Sequence, residues 1–378
     1  MQTHKIRLLI APDSFKGALN ASGVAHALGR GVARAVGDRI QVTIIPMADG
    51  GEGTSDVALQ WGGVKEPGAT VNIYGHPQND GYWVRWGSRA IVEAAVGSGY
   101  VAEDLRKAPG HRTTSLGTGL LVNAAMAHPD IEEVWVALGG TGSTDGGIGF
   151  LVGIGARLQD AIGREVEPFG HRLNQVAAYH VPPLQKPLIG LYDVALPLLG
   201  DRGAVSLFGP QKGIGGEYLG EMERGMEHWA NVVHAETTRP LALEPGTGAA
   251  GGIGFGILVA GGSLRPGAKT VATWQGLEAT IEAHDWVVTG EGRIDAQTEA
   301  GKAVALVIQS AAAAHKPVIA VVGSRDQDLR FLHESGLCLV LPVVTGPMSH
   351  HDAITRASEL LETAGEEIGW LISRMMPR

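Results

Sequence analysis

Cysteine is nearly absent from this chain of 378 residues: Cys338 is the only one, so an internal disulfide is excluded and a reduced, cytoplasmic setting is expected. Excess positive charge is missing too. Thirty Lys and Arg face 39 Asp and Glu, for a net charge of −9, which argues against nucleic acid as a partner. Long apolar runs are lacking. The run after Lys5 and Arg7 ends at Pro12 and Asp13, too short for a signal peptide. The uncharged stretch from Gly246 to Leu264 is mostly glycine and alanine; it predicts a packed internal helix, with no membrane partner. Several motifs do not occur. Gly301–Lys302 lacks the upstream glycine of a Walker A loop, and GTGAAG at Gly246–Gly251 has no strand before it. HExxH, a cysteine zinc set and a GxSxG elbow are all missing, and the 14 histidines show no ligand spacing, so zinc and serine-esterase chemistry lose support.

Glycine, by contrast, is abundant. The 56 glycines are about twice the average share of roughly 7%, and they cluster between apolar segments. That arrangement points to loops in which backbone approaches a ligand or another backbone closely.

The order of patterns suggests two domains, as the length does. Ile6–Ala11 and Val42–Pro46 read as buried strands. A helix follows the first from about Ala21, capped by Asn20, and a short one follows the second up to Leu59. Short runs at Thr70–Tyr74, Tyr82–Trp86 and Ala90–Ala94 read as a meander. Beyond them come a helix at Leu116–Ala127, strands at Val134–Leu138 and Leu188–Val194, and a helical stripe of Leu219, Met222, Met226, Trp229 and Val233. After Gly276 the strand–helix rhythm returns with strands near Trp286, Val318–Val322 and Leu339–Val343, and a last helix covers Ala353–Arg374. The expected fold is α/β: a flavodoxin-like, doubly wound parallel sheet formed by residues 1–66 and 277–378, split by a second α/β domain at 67–276.

Asp285–Lys302 holds the densest chemistry. Trp286–Val288 reads as a strand, Thr289–Gln297 as a loop, and Thr298 as the cap of a helix, an arrangement that presents N–H groups to an anion. At the predicted strand ends the loops DSFKG, ADGGEG and TGEGRID carry Asp13, Ser14, Lys16, Asp49, Gly50, Gly51, Glu52, Gly290, Glu291, Arg293 and Asp295. Other glycine loops carry Thr141, Ser143, Asp145, Asp193, Lys212 and Lys302. Phosphoryl transfer asks for this mixture: N–H groups to cradle phosphate, cations to neutralise it, one carboxylate to hold a metal and another to orient the attacking hydroxyl. Any one of these charges could equally be a surface or capping group, and Lys16 and Lys212 could be phosphate clamps or solvated loop lysines.

Seven motifs occur in order: DSFKGAL, PMADGGEGT, GG-x4-DGG, DV-x2-PL-x-G, FGPQKG, GAAGG and TGEGRID-x-QT-x2-GK. Together they resemble the type I glycerate kinase family, the bacterial glycerate 2-kinases, over nearly the whole chain. The resemblance implies transfer of the γ-phosphoryl group of ATP, with Mg2+, to D-glycerate, giving 2-phosphoglycerate in a site between the two domains. It implies Asp193 as base or orienting group, with Lys16, Asp13 and Arg293 also catalytic. Asp13, Asp49 and Asp295 are the implied metal ligands. Ser14, Asp49, Gly50, Gly51, Glu52, Thr141, Ser143, Asp145, Lys212, Gly290, Glu291, Asp295 and Lys302 are the implied substrate or phosphate contacts. The chain departs from the family at Thr144, where an asparagine is usual, and at Ala195 and Leu196, which replace an acidic–asparagine pair on the implied substrate wall. A kinase for a related hydroxy acid and a non-catalytic nucleotide or sugar-acid sensor are the alternative readings.

Overall fold

The computed structural model describes residues 5–100, 109–294 and 302–375. Packing divides them into two units, at 49/50 and at 267/268. These divisions lie upstream of 66/67 and 276/277, because Val64–Pro67 pairs with Tyr82–Trp86 inside the middle unit and Ala268 packs into the core of the flanking one.

The flanking unit is built on five parallel strands. Their spatial order is Leu337–Pro342, Val318–Arg325, Trp286–Ile294, Ile6–Ile10, Ile40–Ile44. Numbered by sequence within this unit, that order reads 5-4-3-1-2, which is the flavodoxin-like order. Alternation along each strand feeds two cores. Leu9, Val287 and Ala320 pack with Val304, Val307 and Ile308, while Leu8, Ile10 and Val288 pack with Val24, Leu28, Leu361 and Ile368. Burial of both faces is why these strands read as continuous apolar runs. Asn20 caps helix Ala21–Val36 by accepting from the Gly23 N–H at 2.9 Å. That helix lies along Ala357–Arg374. Any Cβ at Gly31 would collide with the Glu362 carbonyl, so glycine permits the close approach.

One expectation is corrected here. Trp286–Ile294 is a single nine-residue strand, so the first six residues of the expected loop Thr289–Gln297 are sheet. Glycine is present because the neighbouring strand crowds in: a Cβ at Gly290 would strike the Val321 carbonyl. Helix Ala303–Ala313 follows with Lys302 at its cap; Asp295 and Thr298 lie outside the described residues.

The middle unit holds a six-stranded sheet in the order Ser263–Pro266, Leu188–Tyr192, Glu133–Leu138, Arg89–Glu93, Tyr82–Trp86, Val64–Pro67. The first four are parallel, and the last two extend the sheet as an antiparallel edge. Phe150, Trp229 and Phe255 fill the core together with Met222, Met226 and Val233 of helix Gly216–Thr237. Gly246–Leu264 is not one helix. It breaks into a 3-10 turn at Ala249–Gly252, a helix at Ile253–Val259 and the start of strand Ser263–Pro266. The break is forced by left-handed backbone at Ala250 (φ 54°) and Gly251 (φ 68°). Among the described residues no helix is long and apolar enough to cross a membrane.

Candidate functional site

In an open α/β sheet, ligands gather beyond the carboxyl ends of parallel strands. In the middle unit those ends are Glu93, Leu138, Tyr192 and Pro266. A cleft of about 110 Å³ opens there, lined by Gly140, Thr141, Asp193, Phe208, Lys212 and Ala250 among others. Three predicted residues from loops far apart in sequence, Thr141, Asp193 and Lys212, are thus brought together.

Lys212 closes the short turn Pro210–Lys212. That turn is held from two sides: the Tyr100 hydroxyl donates to the Gln211 carbonyl at 3.0 Å, and the Gly110 N–H donates to the Gly213 carbonyl at 3.1 Å. The lysine side chain is buried. Its ammonium donates to the Ser143 carbonyl at 2.9 Å and to Thr141 Oγ1 at 3.2 Å. Burial pulls its pKa down to about 8, against the opposing pull of Asp145 and Asp193. The buried hydroxyls of Ser143 and Thr144 lack hydrogen-bond partners, which is costly unless a ligand or water completes them.

Asp145 is held by its own loop. It is fully buried, and its carboxylate accepts from the Ser115 N–H at 2.6 Å, the Ser115 hydroxyl at 2.8 Å, and the Gly147 and Gly149 N–H groups at 3.0 Å. Burial raises its pKa in spite of these donors. Its oxygens accept from the Ser115 hydroxyl and from backbone at the start of helix Ile148–Gly153, so it shapes the glycine loop. Leu196 is buried, with its side chain against Gly248, while Asp193 and Val194 line the cleft.

The Gly50–Gly53 turn packs on the same edge. A Cβ on Gly139 would come within 2.7 Å of the Gly51 Cα, and one on Gly140 within 3.5 Å of Glu52 Oε2. Beneath the turn lies Glu93, which sequence reasoning missed. It ends a strand that read as an ordinary meander, yet it is only 6% exposed and accepts from the Ser55 N–H at 2.6 Å. Burial, with Asp56 and Glu52 nearby, pushes its carboxyl up to about 7. An isolated acid closing an apolar strand (Ala90, Ile91, Val92) was the available signal.

The flanking unit gathers carboxylates. The Asp13 N–H donates to the Gly290 carbonyl at 2.8 Å and the Met47 N–H to the Pro12 carbonyl at 2.8 Å, tying the DSFKG loop to both neighbouring strands. Asp13 Oδ1 accepts from the Ser14 N–H at 2.6 Å. Burial first, then the charges of Asp49 and Glu291, push Asp13 up to about 8, with Ser14 and Lys16 pulling the other way. Asp49 and Glu291 are each 8% exposed. Lys16 is exposed beyond them. Arg293 is 65% exposed and pairs with Asp326 at 3.1 Å. The Gly290 carbonyl accepts from Asp13, and Val321 of the neighbouring strand crowds its Cα.

Fold and geometry together define an α/β protein with a cleft at the carboxyl edge of the parallel strands of its middle unit and clustered carboxylates in its flanking unit. The model of the glycerate kinase family matches residues 8–373. Glycerate 2-kinase of Escherichia coli (strain K12) is 35% identical over 349 residues, covering 90% of this chain and 91% of that one. Glycerate kinase of Bacillus subtilis (strain 168) is 33% identical over 372 residues, covering 96% and 97%. A crystal structure of a candidate glycerate kinase 2 from Salmonella typhimurium LT2 superimposes with a TM-score of 0.82 at 31% identity, covering 98% of this chain and 99% of that one. The chain belongs to the glycerate kinase family.

Proposed function

We propose that the chain transfers the γ-phosphoryl group of ATP to the 2-hydroxyl of D-glycerate, giving 2-phosphoglycerate and ADP. The observation that carries this reading beyond family membership is the buried Lys212 ammonium beside Thr141 in a cleft that also holds Asp193. The cleft is small, about 110 Å³, as suits a small acid. Lys212 takes the substrate carboxylate or the moving phosphoryl group, and Thr141 and the Gly139–Gly140 backbone fix its orientation. Asp193 accepts the hydroxyl proton as the new O–P bond forms and the bond to the β-phosphate oxygen breaks. Because such transition states are loose, placement and charge matter more than base strength.

The carboxylates of the flanking unit suit Mg2+. Asp49 and Glu291 help to raise the Asp13 carboxyl to about 8, and carboxylate oxygen is the donor that Mg2+ prefers. Among the described residues no set of three His, Cys, Asp or Glu forms a metal cage. Mg2+ needs none, since one or two carboxylates plus phosphate oxygens hold it. Asp13 and Asp49 are the residues that would do so, and the ion would supply charge neutralisation for the transferred phosphoryl group. Lys16, Lys302 and Arg293 serve as outer phosphate contacts.

The test is product analysis after incubation with ATP, Mg2+ and D-glycerate, with and without enolase. Product that enolase consumes directly supports 2-phosphorylation. Product that enolase leaves alone moves the phosphoryl group to the 3-hydroxyl. ADP formed only with another hydroxy acid overturns glycerate as substrate.

A further inference from the structure

Glu93 stands outside every role assigned above, yet it is among the most buried acids in the chain. Its position follows from the sheet. In the parallel pairing it lies opposite Ala137, at the carboxyl end of its strand, while the neighbouring strand runs on through Leu138 into Gly139. Its carboxylate meets two backbone donors of the next layer: the Ser55 N–H at 2.6 Å and the Gly53 N–H. Both belong to the turn that opens helix Thr54–Gln60. The same turn carries Gly51, whose backbone rests on Gly139, and Glu52, which rests on Gly140. Gly140 in turn accepts from the Tyr100 N–H at 3.0 Å and leads into Thr141, the partner of Lys212. A continuous path of contacts therefore runs from the Glu93 carboxylate to the Lys212 ammonium.

We propose that Glu93 is a positioning residue for the phosphoryl transfer, its carboxylate clamping the Gly50–Gly53 turn against Gly139 and Gly140 so that Thr141 and Lys212 keep their geometry. The proposal rests on the kinase reading given above. A carboxylate suits the role because both oxygens accept and neither donates; glutamine would turn an NH2 group toward a backbone N–H. The groups facing Glu93 are Asp56 of the helix, Glu52 of the turn and Tyr82 of the adjacent strand, with Lys65 over the Tyr82 ring at 3.9 Å. No stabilising charge among these repays the burial of a carboxylate. A carboxyl pKa raised from 4.5 to about 7 contributes stability that is present below pH 4.5 and lost as pH rises through 7. Glu93 therefore costs stability at working pH, as expected of a residue kept for geometry.

The experiment compares wild type with Glu93→Gln at pH 8 and pH 5.5, reading kcat at saturating ATP, Mg2+ and D-glycerate together with Tm. Expected at pH 8 is a kcat lowered at least tenfold with a Tm equal to or above that of wild type. Any gain in Tm shrinks at pH 5.5, where both side chains are neutral. A kcat within twofold of wild type overturns the proposal. So does a Tm that falls along with kcat, or a variant that does not fold, since a merely structural residue loses both. A wild-type control that forms no ADP with any hydroxy acid overturns the kinase reading itself and is recognised before any variant is scored.

Discussion

The Lys212 ammonium sits 3.2 Å from Thr141 Oγ1 and 2.9 Å from the Ser143 carbonyl, so a buried cation is held by two uncharged oxygens. The charges of Asp145 and Asp193 act on it as well, but burial outweighs them.

Lys212→Met should separate stability from activity. The lysine pKa is depressed from 10.5 to about 8, so its buried charge costs stability at all pH values below 8, and stability is recovered between 8 and 10.5. The variant should lose at least 100-fold in kcat/KM while gaining about 1–3 kcal/mol in urea unfolding at pH 7. In wild type, KM for glycerate should stay flat from pH 6 to 8 and rise about tenfold per unit above it, as the ammonium is lost. A flat profile to pH 10 would remove Lys212 from substrate binding.

Asp145→Ala tests the opposite assignment. Deleting a fully buried carboxylate strands the Ser115, Gly147 and Gly149 donors, at a cost of about 3–5 kcal/mol. Chemical denaturation should show a large drop in midpoint, with any lost turnover tracking the unfolded fraction. A variant of native stability that is inactive would return Asp145 to the ligand-contacting residues.

Asp13→Asn should raise the Mg2+ concentration needed for half-maximal rate by about tenfold or more, because an amide is a weaker donor to Mg2+ than a carboxylate. Relief of the repulsion from Asp49 and Glu291 should leave the melting temperature unchanged or higher. A Mg2+ titration superimposable on wild type would exclude Asp13 as a ligand.

Lys16→Ala should lower turnover by at least tenfold with no change in unfolding midpoint, since the side chain is exposed on its loop. Wild-type turnover would take Lys16 out of the reaction.

The flanking sheet was legible because its strands are buried on both faces and bounded by glycine loops; Asn20 and the Met222–Met226–Trp229–Val233 stripe were legible for equally local reasons. What misled is instructive. Thr289–Ile294 looks like a loop because glycine and charge are poor strand formers, yet the crowding of Val321 against Gly290 demands glycine within a strand. Asp145 and Asp193 look alike in sequence, each just beyond a predicted strand. Only three-dimensional packing shows that backbone donors surround the first and a cleft borders the second. Glu93 escaped notice because its partners, Gly53 and Ser55, lie some forty residues away and are backbone groups, which carry no side-chain signature.

The pairing of Ile6–Ile10 with Trp286–Ile294 also sets the order of events at the ribosome. Arg7 and its partner Asp285 are separated by 278 residues. At about 5–20 residues per second, the first strand therefore waits on the order of tens of seconds for its neighbour to be synthesised. The middle unit is a continuous segment, complete well before Val318–Arg325 and Leu337–Pro342 emerge, and it can mature in that interval. Meanwhile Ile6–Ile10 and Ile40–Ile44 are an unpartnered apolar pair. Translation speed and chaperone supply, more than final stability, should then govern how much of this protein a cell recovers in usable form.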